Sequence, residues 1–110
     1  MPLRQRLKAD LGAAMREGDT QLVGVIRTLL GAIGNAGAVE LDASHPTEVQ
    51  GWAEAPRRHL TAEDILGVLR REAEELRSAA AEYAAHGQPE EAARLHRSAG
   101  YVERYLAGPS

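Results

Sequence analysis

Residues 60–92 read LTAEDILGVLRREAEELRSAAAEYAAHGQPEEA, and the spacing of apolar residues in this stretch decides the fold class. Ile65, Val68, Leu69, Ala73, Leu76, Ala80 and Tyr83 recur at the period that places side chains on one face of a helix. Thr61 is a good opening residue, because its hydroxyl can accept from the free amides of the first turn, and Asp64 can return the bond. Gly87 marks the stop of a helix about 35 Å long. Pro89 then suits the first turn of another helix, where a missing N–H leaves nothing unpaired.

The same period continues on both sides. Downstream, Ala92, Leu95, Ala99, Val102 and Leu106 line one face up to Gly108-Pro109. Upstream, Leu22, Ile26, Leu29, Leu30 and Ile33 form a stripe edged by Val23 and Val25, with Asp19 as its cap and Gly34-Asn35 and Gly37 as stop signals. Before it, Leu3, Leu7, Leu11, Ala14 and Met15 make a first stripe that ends at Glu17-Gly18. Residues 36 to about 60 keep no period and contain Ser44, Pro46, Gly51 and Pro56, so they read as a long connection. The expected fold is all-α: four main helices in a compact antiparallel-type bundle, with one long loop between helices two and three.

Composition narrows the function classes. Thirteen basic against sixteen acidic residues leave a formal charge of −3, the wrong sign for a dedicated nucleic-acid module. Phenylalanine is absent, and Trp52, Tyr83, Tyr101 and Tyr105 are the only aromatics, so the core must be aliphatic. The absence of cysteine excludes disulfides and thiol chemistry and fits a reducing compartment. The N-terminal residues lack the apolar run of an export signal. The longest apolar stretch, from Leu22 to Ile33, is interrupted by Arg27 and Thr28 and falls short of the roughly 20 residues that span a bilayer. A cytoplasmic protein with no membrane span is expected.

Three features depart from a plain helical pattern. Glu72 falls inside the third apolar stripe, and Arg27, just beyond the edge of the second, is its natural partner; an Arg27–Glu72 ion pair between helices two and three is predicted. Gly24, Thr28, Gly31 and Asn35 form a stripe of small residues opposite the apolar face of helix two. It reads either as a docking face for a helix or as an ordinary exposed face. Trp52 sits in the long connection, where a large ring is expected to plug the helices or touch a partner.

Chemistry is harder to find. His45, His59, His86 and His96 are scattered without a ligand spacing, so no metal site is expected. Ser44-His45 lacks the third group that a nucleophile and base require, and the glycines of residues 31–37 end a helix instead of following a strand. No catalytic residue and no cofactor is assigned. Arg70 and Arg71 can contact phosphates or serve as solvated charge beside Glu74 and Glu75.

Residues 10–19 (DLGAAMREGD), 25–40 (VIRTLLGAIGNAGAVE), 60–92 as quoted above and 101–106 (YVERYL) together resemble the N-terminal helical domain of YqeY-like proteins, the GatB/YqeY domain family. Order, spacing and helix boundaries carry the resemblance. It implies that Arg27, Asn35, Glu72 and Arg77 are family residue types. It also implies that residues 1–110 are a single such domain without the second, GatB-tail-like domain that contacts tRNA in the family.

Two functions follow as expectations. The first is a non-catalytic helical interaction module that self-associates or binds a protein partner, with no activity expected of the chain by itself. The second, implied by the resemblance, is an accessory factor related to tRNA-dependent amidotransferase, a carbon–nitrogen ligase with glutamine as amido donor. That factor would contact amidotransferase subunits and, weakly through Arg70, Arg71 and Arg77, tRNA.

Overall fold

The structure is a computed structural model that describes the backbone of residues 2–44 and 59–108 and the side chains of residues 2–37 and 59–108. It contains α1 (Leu3–Glu17), α2 (Thr20–Ser44), α3 (Ala62–Ala85) and α4 (Pro89–Leu106). The chain is an all-α bundle, as its periodicity predicts.

The boundaries follow from local chemistry. Gly18 takes a left-handed φ of 74°, and the next amide, of Asp19, donates to the Ala14 carbonyl at 3.0 Å, closing α1. The Asp19 carboxylate accepts from the Leu22 amide at 3.1 Å and starts α2 at once. Thr61 and Asp64 form the reciprocal capping box of α3, with both bonds at 3.0 Å. Gly87, at φ 76°, ends α3, and the Gln88 amide reaches back to the Tyr83 carbonyl at 2.9 Å. Pro89 occupies the first turn of α4. These tight turns make two antiparallel pairs, α1 with α2 and α3 with α4.

One boundary departs from expectation. Helix α2 does not stop at Gly34-Asn35 or Gly37 but continues to Ser44. A glycine ends a helix when it turns left-handed and recruits the closing amides. Among the described glycines only Gly18, Gly87 and Gly108 have positive φ, so Gly34 and Gly37 keep helical backbone at a cost of roughly 1 kcal/mol each. The long connection is shortened accordingly. Its remainder up to residue 58, with Trp52, lies outside the described residues.

The core gathers Leu7 of α1, Val25, Ile26, Leu29 and Ile33 of α2, Val68, Leu69 and Ala73 of α3, and Val102 and Tyr105 of α4. Helices α3 and α4 make the most extensive contact, and both bury alanines there: Ala73 and Ala80 on one, Ala92 and Ala99 on the other. Small side chains let two helix axes approach closely. Two residues of the apolar stripes miss the core. Met15 is 54% exposed and Tyr83 38% exposed, because each lies in the last turn of its helix, beyond the packed stretch.

Candidate functional site

Two features that stand apart in the sequence meet in space. On α2, Thr20, Gly24 and Thr28 succeed one another at intervals of four and therefore share a face. Opposite them, Glu72 and Leu76 of α3 and Arg94, Leu95 and Ser98 of α4 complete a groove over a floor of Val25, Leu29 and Val102. Its volume is about 310 Å³. Gln21 closes one side by tying α2 to α4: its amide nitrogen donates to the Arg94 carbonyl at 2.7 Å and to Ser98 Oγ at 2.9 Å, while its oxygen accepts from Arg97 Nε at 3.2 Å. Ser98, otherwise an unexpected polar residue in the core, is thereby satisfied.

Glu72 is half-buried in the wall of this groove. Desolvation raises its pKa first, repulsion from Glu75 adds to that, and the Arg71 charge acts in the opposite direction. The predicted Arg27–Glu72 pair is not among the ion pairs of the described residues, which join Arg70 to Glu63, Arg77 to Glu103 and Arg94 to Glu91. The reason is angular. Thr28 lines the groove, and its neighbour Arg27 projects about 100° away round the helix, into solvent.

The small-residue face is open. Gly24, Thr28, Gly31 and Asn35 are all exposed, and a Cβ added at Gly24 or Gly31 would meet no atom within 4 Å. Neither α1 nor α4 therefore packs against these glycines. The groove takes in Gly24 and Thr28 but leaves Gly31 and Asn35 beyond its end. Gly31→Ala is expected to stabilise the isolated chain by about 0.5–1 kcal/mol through helix propensity, read as a higher urea midpoint at unchanged slope. A lower midpoint would show that something already packs against that face.

The arginines singled out for phosphate contact are placed differently from one another. Arg70 donates to Glu63 at 3.0 Å, and Arg77 Nε donates to Glu103 at 2.8 Å, which joins α3 to α4 and holds the Glu103 carboxyl below the usual carboxylate range. Arg71 is exposed and makes no ion pair with a described residue. These are surface pairs, worth little to stability individually.

A second polar constellation was not legible in the sequence. Tyr105 is 7% exposed, and its hydroxyl donates to the Asp10 carboxylate, joining α4 to α1. Burial raises the hydroxyl's pKa well above its ordinary 10.0, and the hydrogen bond to Asp10 raises it further. The Arg6 guanidinium lies over the Tyr105 ring, 4.9 Å from its centre, and that of Arg104 lies over Tyr101 at 5.1 Å. A signal was present: Leu95, Ser98, Val102 and Tyr105 follow a three-four alternation. The polar atoms of Ser98 and Tyr105 hid their membership of the buried face.

Among the described residues no helix is long and apolar enough to cross a membrane, and no group of three or more His, Asp or Glu stands placed to hold a metal ion. Residues 4–109 match the family model described as Yqey-like protein. No curated protein and no solved structure matches the chain.

Proposed function

Since the chain belongs to the YqeY-like family, we propose that it serves as a non-catalytic helical interaction module, receiving a segment of another polypeptide in the groove between α2, α3 and α4. The observation that carries this reading is the meeting of Gly24, Thr28 and the carboxylate of Glu72, which forms no salt bridge with a described residue, in one open groove. A glycine and a threonine leave room for an incoming chain. A half-buried carboxylate offers it a charge to neutralise.

A second reading, an accessory factor of tRNA-dependent amidotransferase with weak tRNA contact, is supported by the family relationship and by Arg71, exposed beside the ion-paired Arg70. Affinity capture from native lysate, run in parallel with the wild-type chain and Gly24→Gln, separates the two. The glutamine enters open space, so the variant folds, as its helical circular dichroism should show. The module reading predicts protein partners, or self-association seen by light scattering, that the wild type retains and Gly24→Gln loses by about tenfold or more. Capture of the same proteins by both chains would remove the groove from the function. Recovery of tRNA with amidotransferase subunits, unaffected by Gly24→Gln, would establish the second reading.

A further inference from the structure

Arg6 near the start of α1 and Arg104 near the end of α4 meet beside the buried Tyr105. Both positive charges act on its hydroxyl, opposing the effect of burial. Each guanidinium lies over a tyrosine ring, 4.9 Å from the centre of Tyr105 for Arg6 and 5.1 Å from that of Tyr101 for Arg104. Neither makes a hydrogen bond or ion pair with a described residue.

The carboxylate that ought to neutralise Arg6 is Asp10, one turn along the same helix. It is engaged elsewhere, accepting the Tyr105 hydroxyl. Among the described residues the only other carboxylate lining the cleft, Glu17, lies two turns beyond Asp10, about 10 Å farther along α1. At the arginine end, two positive charges thus face one negative charge, and that one is turned toward a phenol. The whole cleft is about 210 Å³, room for a tetrahedral oxyanion, with the rest of a ligand left in solvent.

We infer that the cleft between α1 and α4 binds a phosphate monoester through the guanidiniums of Arg6 and Arg104, which both line it. A carboxylate fills one guanidinium fork, whereas the three terminal oxygens of a monoester can accept from two arginines at once. Its charge of nearly −2 at neutral pH also matches two cations better than a singly charged diester does. This inference is independent of the groove on the α2 side.

The test is titration of the full chain, labelled with 15N, with inorganic phosphate and with a 5′-mononucleotide at constant ionic strength. Saturable shifts are expected at the Nε–Hε signals of Arg6 and Arg104 and at the amides around Asp10 and Tyr101. Arg6→Gln and Arg104→Gln should each weaken the apparent affinity about tenfold, with helical dichroism retained, and Lys8→Gln, at an exposed site of α1 that does not line the cleft, should leave it unchanged. Saturation by the mononucleotide alone would identify the natural source as a nucleotide, and saturation by both probes a phosphoryl group recognised on its own. Shifts that rise linearly at every exposed arginine, or unchanged affinity in both variants, would overturn the proposal. Equal affinity for a dinucleotide with no terminal phosphate would overturn the monoester assignment.

Discussion

Truncation of Leu69 to alanine is expected to destabilise the chain by about 2–5 kcal/mol, the cost of lost burial plus the cavity left behind. Leu69 is 0% exposed and belongs to the same core cluster as Leu7, Ile26, Leu29, Ile33 and Val102, drawn from the other three helices. Neighbours on separate helices cannot all collapse into the space of one missing isobutyl group without shifting their own backbones, so the upper half of that range is expected. Total stabilities of small domains are about 5–15 kcal/mol, and the variant would lose a large share of its own. Urea denaturation followed by circular dichroism measures it. Met15→Ala, at a site 54% exposed, is the matched control and should stay within about 0.5 kcal/mol of the parent. Similar small losses at both positions would mean that the helices pack loosely.

The second large effect belongs to Tyr105. Tyr105→Ala removes a ring that is 7% exposed and is expected to cost about 3–5 kcal/mol. Tyr105→Phe keeps the ring and removes only the hydroxyl that donates to Asp10, which should cost about 1.5–3 kcal/mol, the range for a hydrogen bond to a charged group. The difference between the two variants separates packing from polar contact. The hydroxyl also predicts a pH dependence. Its folded pKa lies above the unfolded value near 10.0, so both states are protonated below that pH and its contribution is fully present there. As pH rises past 10.0 the unfolded chain releases the proton first, and stability falls until the folded hydroxyl ionises as well. Tyr105→Phe should lack this part of the alkaline loss. An identical slope in parent and variant above pH 10.0 would show that the hydroxyl is not held in the protonated form by the fold.

Both predictions concern residues of unequal legibility. Leu69 is visible in the sequence, because helical periodicity names the buried face of α3 without knowledge of what covers it. Tyr105 is not. It lies next to the apolar stripe read from Ala92 to Leu106, and a tyrosine in that position is as compatible with the helix edge as with the core. Only the approach of Asp10 from α1 gives its hydroxyl a partner and so permits its burial. Gln21 is a similar case: nothing near it in sequence signals that Ser98, on α4, needs a donor.

The candidate groove divides in the same way. Its members Gly24 and Glu72 stand out in the sequence because each violates a local rule, glycine in a helix interior or a charge in an apolar stripe, and Thr28 joins Gly24 in the stripe of small residues. The sequence does not say that they face one another, and its nearest guess, Arg27 for Glu72, fails because two residues on different helices are related by the packing of those helices and not by their spacing along the chain.

What the sequence by itself determined is therefore everything governed by interactions within a few residues: helix identity, the caps at Asp19 and Thr61, the glycine stops at Gly18 and Gly87, and the apolar faces. The tertiary structure decided the rest. It turned Arg27 outward, left Gly24 and Gly31 uncovered, and brought Arg6 and Asp10 from one end of the chain to Tyr105 at the other. The physical reason is range. A cap or a stripe is settled by bonds a turn away, whereas burial, pairing and open surface depend on which helix arrives alongside.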